Sequence, residues 1–226
     1  MREVVIDTET TGLSYKLGDR ITEVGCTELI NHVATDNNLQ FYCSVDRAVS
    51  EDAVRISGLT NEFLSSHPPF AKNAEGFLNF IKEDQLIIHN ADFDMGFINN
   101  ELKLLGRTKL TNKIIDTVGL ARKTLNTRVA NLDYLCRRFS IDLSKREVHG
   151  ALLDTQLLAE VYLELLGGKQ ISMNLDDKKE AGLDKKNKIS SKINNISTIE
   201  LLEEDIKQHK LLTQQIKNPL WQKINY

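Results

Sequence analysis

Three kinds of apolar spacing succeed one another along the chain. Period-two and continuous apolar runs predict strands at about residues 3–8, 20–30 and 39–45, joined by Gly- and Asn-bearing turns at "LGD" and "TDNN". Short connections of that kind make an antiparallel meander. Helical spacing then takes over: in "FAKNAEGFLNFIKE", Phe70, Ala74, Phe77, Phe80 and Ile81 form one apolar face. "QLIIH" reads as a short buried strand, and "FDMGFINNELKLLG" as a helix that stops at Gly106. Helix, strand, helix implies a crossover connection. With further helical pattern at "NLDYLCRRF" and "GALLDTQLLAEVYLELL", the expectation is an α/β fold: a mixed sheet, three antiparallel strands then parallel ones, with helices packed on it.

The pattern changes after Gly167-Gly168. Residues 176–196, beginning "DDKKEAGLDKKNKISSKINN", are polar, lack aromatics and show no period, which predicts a flexible linker. Over 197–226 a pattern returns. Ser197 with Glu200 fits a capping box, and Ile199, Leu202, Ile206, Leu212 and Ile216 make an apolar stripe on a helix from Ser197 to Lys217. A lone helix of that length is marginal in water, so the stripe calls for a partner.

Composition adds little against this division and removes some alternatives. With 226 residues, 41% hydrophobic and 27% charged, the chain can bury one sizeable core and carry an appendage. It has no apolar run near 18 residues and no basic-then-apolar leader, so the expectation is no membrane association and a cytoplasmic location. Cys26, Cys43 and Cys136 are odd in number and widely spaced, which suits reduced core thiols. Residues 176–226 hold 10 Lys and 8 acids, so the formal net charge of −3 divides as −5 before residue 176 and +2 after it. Neither part is basic enough to hold nucleic acid tightly at physiological salt.

"VVIDTETTGL" carries the first chemistry. Asp7 and Glu9 stand two apart at the end of an apolar strand, so they project from one face, where like charges repel. Alone the pair is weak evidence: 32 acids in 226 positions produce about four or five such pairs by chance, and solvated acids at a strand end are the competing reading. Two further acids agree with it. Asp154 shares a helical stripe with Leu158, Val161 and Leu165, which places a carboxylate in the first buried turn. The competing reading, an acid favoured by the helix dipole, belongs on the solvent side. Asp94 repeats the arrangement beside Phe97 and Ile98, with Asn90 as the expected cap of its helix. Acids converging at strand ends without cysteine imply Mg²⁺ or Mn²⁺. His149, five residues before Asp154, is placed to take a proton from water, although a surface histidine would look the same in isolation.

"DTETTGL", "HNxxFD" (His89, Asn90, Phe93, Asp94) and "HxxxxD" (His149, Asp154), in that order, resemble the three motifs of the DEDDh exonuclease family, which has the ribonuclease H-like fold. The likeness spans about residues 3–168. It is closest to the members that proofread for bacterial DNA polymerase III. The resemblance implies that Asp7, Glu9, Asp94 and Asp154 hold two divalent ions and that His149 deprotonates the attacking water. Asp7, Glu9 and Asp154 would then also meet the substrate, a DNA 3′ terminus. In "VSEDAVRISGLT", Asp52 matches an acid that touches the terminal nucleotide in such members; Ser57 stands where they carry histidine, so that contact rests on a hydroxyl. Residues 169–175 resemble a sliding-clamp docking peptide, with Gln170, Ser172, Met173 and Leu175 in the recognised places; the start of a linker is the other reading. The tail from 197 to 226 would bind the catalytic (alpha) subunit of the polymerase. An RNA 3′→5′ exonuclease of the same family is the alternative function, and a non-catalytic scaffold with this fold is a third.

Overall fold

In the computed structural model, residues 1–144, 146, 148–167, 204, 207, 208 and 211 are described. The expected clamp peptide, linker and most of the tail helix lie outside them; Glu204, Lys207, Gln208 and Leu211 are helical and exposed. Five strands, β1 (Arg2–Thr10), β2 (Ile21–Ile30), β3 (Val33–Tyr42), β4 (Gln85–Ile88) and β5 (Ile114–Asp116), form one sheet in the order β3-β2-β1-β4-β5. The first three are antiparallel, and β4 and β5 join parallel to β1. The helices are α1 (Glu51–Ser57), α2 (Asn61–Ser65), α3 (Phe70–Ile81), α4 (Ala91–Leu104), α5 (Thr117–Leu125), α6 (Leu132–Arg138) and α7 (Ala151–Leu165).

Val4, Val5 and Ile6 are fully buried because the sheet is covered on both faces. Val4 and Ile6 pack into a core with Phe70, Phe77, Phe97 and Ile98 of α3 and α4, while Val5 packs with Leu158, Ala159 and Tyr162 of α7. The same alternation sets which way the last residues of β1 face: Thr8 continues the α4 side, and Asp7 and Glu9 continue the α7 side. Gly25 in β2 lets α7 sit down closely, since a Cβ there would lie 2.3 Å from the backbone carbon of Ala151.

Three expectations are corrected. The third strand starts at Val33, not 39: the turn is the left-handed pair Asn31 and His32 (φ 51° and 68°), and "TDNN" lies within β3. There Thr35 and Asn37 both donate to Glu28 of β2, so polar side chains pair across an edge strand that shows no apolar alternation. Asn90 does precede α4, but in the left-handed region (φ 65°) with no side-chain cap; capping needs extended backbone there. Its N–H instead donates to Asp116 Oδ1 at 3.0 Å, and the same oxygen caps α5 through Val118 N–H. Finally α1, α2, α5 and the three-residue β5 are additional elements, each too short to carry a readable period.

Candidate active site

The C-terminal end of β1 lies between α4 on one face of the sheet and α7 on the other, and the acids meet there. Asp154 is 4% exposed in the first turn of α7, and Leu158, Val161 and Leu165 are buried along the expected stripe. Asp94 is 2% exposed in the first turn of α4, and its Oδ1 accepts from the Thr8 hydroxyl at 2.7 Å. Asp7 and Glu9 are half-buried on β1. Single ligand atoms of Glu9, His149 and Asp154 lie within 4.8 Å of one another. Half of the His149 side chain is exposed, while its backbone N–H donates to Ile56 O at 2.9 Å, pinning the start of α7 to the end of α1.

Burial and mutual repulsion hold protons on this cluster. Asp7 is pushed well above the ordinary carboxylate range, first by burial and then by the charges of Asp94, Glu9, Asp154 and Glu23. Glu9 rises to about 8 through burial and repulsion from Asp154, Glu23 and Asp94, with Arg146 opposing. Burial takes Asp94 up to about 7 despite its bond from Thr8. These groups gain from any cation that enters.

Two residues that the sequence pattern passed over support the cluster. Glu23, 1% exposed, sits opposite Glu9 in the β1–β2 ladder. Its carboxylate accepts from Gln40 Nε2 at 2.7 Å and from the backbone N–H groups of Ala151 and Leu152. It therefore caps α7, whose own N-cap is Gly150 with no side chain to offer, and it fixes the turn that carries Asp154. An acid inside an otherwise buried strand was the available signal. Arg146 donates through Nε and Nη2 to both oxygens of Asp154, each at 2.6 Å. It stands on an aperiodic loop, where no spacing marks it.

A cleft of about 680 Å³ opens beside Glu9, lined by residues that include Thr11, Leu13, Asp52, Arg55, Ile56 and Phe93. Asp52 is exposed there and paired with Arg55 at 2.7 Å. Ser57 is not among the lining residues. It is buried in the last turn of α1, where its hydroxyl donates to Ala53 O at 2.9 Å and accepts from Leu59 N–H at 3.3 Å. Outside the cluster, His89 Nδ1 is bonded to the Thr117 hydroxyl at 2.8 Å, and burial lowers its pKa.

Comparison with known proteins matches residues 4–162 to the model of an exonuclease family. The DNA polymerase III subunit epsilon of Rickettsia felis is 42% identical, over 93% of this chain and 94% of its own length. That of Escherichia coli K12 is 43% identical over 74% of this chain and 72% of its own length. Among solved structures, the nuclease domain of 3′hExo, a DEDDh family member bound to rAMP, superposes with a TM-score of 0.63 at 17% identity, covering 73% of this chain and 91% of that domain. Exonuclease X in complex with 5′ overhanging duplex DNA gives 0.59 at 20% identity, over 73% and 90%. At such identities the two structures speak for the fold, which is ribonuclease H-like.

Proposed function

This chain belongs to the exonuclease family, and within it to the epsilon subunits of DNA polymerase III, and from that premise we propose how its site works and what it serves. It is a 3′→5′ exonuclease, and the family works with divalent metal ions. The observation that carries the reading is the convergence of Asp7, Glu9, Asp94, Asp154 and His149 on the end of β1. The donor set is all carboxylate with one imidazole and no thiolate, and burial and crowding hold protons on Asp7, Glu9 and Asp94; both features fit hard divalent cations. We assign two Mg²⁺ or Mn²⁺ ions to Asp7, Glu9, Asp94 and Asp154. Such ions, when bound, make a water acidic and stabilise charge on the attacking and leaving oxygens.

The chain's own groups do the rest. Thr8 fixes Asp94, and Glu23 fixes the turn bearing Asp154. His149, half-exposed at the mouth of the cluster, receives the proton as the water oxygen bonds to the terminal phosphorus. The bond to the 3′ oxygen of the preceding nucleotide breaks, and a nucleoside 5′-monophosphate leaves. The cleft beside Glu9, with Asp52 and Arg55 on its wall, takes the terminal nucleotide. Ser57 serves by holding the end of α1 in place rather than by touching a base, because both its donor and an acceptor position are used internally. The substrate is the mispaired 3′ end of a DNA primer. With a 5′-labelled primer–template, Mg²⁺ produces a ladder shortened one nucleotide at a time from the 3′ end, and EDTA abolishes it. Intact primer with Mg²⁺ present contradicts the assignment, and faster trimming of ribo- than of deoxy-oligonucleotides selects the RNA exonuclease instead.

The domain of residues 1–168 carries a net negative charge in front of its tail and needs a tether to stay on DNA. We assign the tether to two segments: Gln170, Ser172, Met173 and Leu175 docking on the sliding clamp, and residues 197–226, beyond the linker 176–196, binding the polymerase alpha subunit. The likeness to the Rickettsia felis protein, covering 93% of this chain, extends well past residue 168 and supports a working role for the tail. Two linked contacts raise avidity by about 10² to 10⁴ over one. Changing Gln170, Met173 and Leu175 to Ala abolishes clamp binding by the full chain and leaves trimming of free oligonucleotides unchanged; equal clamp affinity removes the assignment. No described helix is long and apolar enough to cross a membrane. The work belongs in the cytoplasm, where the chromosome is copied.

A further inference from the structure

Among the described residues that crowd the end of β1, Arg146 is the cation in direct contact with an acid of the cluster, and its position is specific. The guanidinium is 7% exposed at the side chain. Nε and Nη2 each donate to one oxygen of Asp154 at 2.6 Å, Nη1 donates to Asp133, and Nη2 lies 3.0 Å from His149 Nδ1. A guanidinium carries five donors and no lone pair, so in that last contact the imidazole nitrogen must accept. One side chain thus takes both carboxylate oxygens of a metal-binding residue and the lone pair of one ring nitrogen of the base. Asp133, on α6, holds the same guanidinium from its far side, which anchors the arrangement to a second element.

We propose that Arg146 is a latch that competes with a cation for Asp154: its guanidinium takes both carboxylate oxygens that would hold an ion, and the lone pair of His149 Nδ1 with them, so its contact with Asp154 and an ion's would exclude one another. Because one side chain holds both groups, giving up Asp154 would also free the His149 nitrogen, which couples the ligand and the base. The latch also supplies positive charge to a crowded set of acids. Arg146 is thus a positioning residue whose partner changes with metal occupancy. The inference rests on the assignment of Asp154 as a metal ligand.

Two measurements separate the latch from that assignment. In calorimetric titrations of the full chain with Mn²⁺, wild type binds and Asp154→Asn loses binding; if Asp154→Asn binds as wild type does, the ligand assignment itself fails. Arg146→Gln removes a competitor, so it binds Mn²⁺ more tightly, by about tenfold, the scale of a charge-assisted bidentate contact. Its melting temperature in EDTA falls, because the acids lose their cation, and the rise on adding Mn²⁺ exceeds that of wild type. Equal or weaker Mn²⁺ binding by a folded Arg146→Gln overturns the latch, since a residue that merely orients Asp154 for the metal would weaken binding when removed. Should that variant not fold, the wild-type chain answers by nuclear magnetic resonance. The Arg146 Nε–H signal, identified by its loss in Arg146→Lys, moves from its paired position as Mg²⁺ saturates the site. A signal that stays in place at saturation overturns the proposal.

Discussion

Asp7→Asn abolishes nucleotide release, by roughly 10³-fold or more, and leaves the metal-free protein more stable than wild type. The first effect is the loss of one of the four carboxylates assigned to hold the ions, whose charge would be worth several kcal/mol of transition-state stabilisation. The second comes from the sign of the carboxyl shifts. Glu9 at about 8 and Asp94 at about 7 lie above their ordinary values near 4, and Asp7 is pushed up as well. Below about pH 4 both the folded and unfolded chains hold these protons, so the shifts cost nothing. As pH rises from there through about 8, the unfolded chain releases them freely while the folded chain must either keep them or accept the repulsion. Metal-free stability therefore falls over that window. Removing Asp7 takes away a repelling neighbour, so melting curves in EDTA between pH 5 and 9 flatten for the variant. A variant that melts lower than wild type at pH 8, or that still trims DNA, contradicts the assignment. Asp154→Ala behaves differently, because it takes the bidentate partner from the buried Arg146 guanidinium and leaves Asp133 alone to hold it. It loses activity and also stability, because a buried ion pair is broken on one side.

His149→Ala lowers turnover by roughly 10² to 10⁴, the contribution of a positioned base, with little change in the melting temperature. Little changes in the fold because the side chain is half-exposed and the bond that anchors this position, to Ile56 O, comes from the backbone. At saturating Mg²⁺ the pH profile of kcat changes between wild type and the variant, because the variant has lost the group that takes the proton from the attacking water. An unchanged pH profile in His149→Ala assigns the proton to another acceptor and leaves the imidazole a structural part of the loop before α7.

The four acids were legible because each broke a local rule: Asp7 and Glu9 ended an apolar strand, and Asp94 and Asp154 interrupted apolar helical faces. A carboxylate where burial is expected must be held by a cation or by several donors, as Glu23 is by Gln40 and the backbone of α7. The sheet's antiparallel half was legible for a related reason, since β1 and β2 are dense with apolar residues, whereas the start of β3 was hidden by polar side chains that pair with Glu28 across an exposed edge. Arg146 was invisible because its partners, Asp133 and Asp154, lie on two helices that only the fold brings together. Glu23 sat in plain view within a buried strand, but its donors include backbone N–H groups of α7, distant along the chain, and no side-chain pattern announces them. Ser57 shows the opposite limit. Position along the motif marks it for a nucleotide contact, and packing turns its hydroxyl inward to Ala53.

The most direct test is a crystal of the full chain soaked with Mn²⁺ and a nucleoside 5′-monophosphate, recorded at the manganese edge. Two anomalous peaks are expected among Asp7, Glu9, Asp94 and Asp154, with the nucleotide in the cleft beside Glu9 and the His149 ring facing the space where an attacking water would sit. Manganese bound elsewhere, or no peak among these four carboxylates while nucleotide occupies the cleft, would contradict the metal-held mechanism.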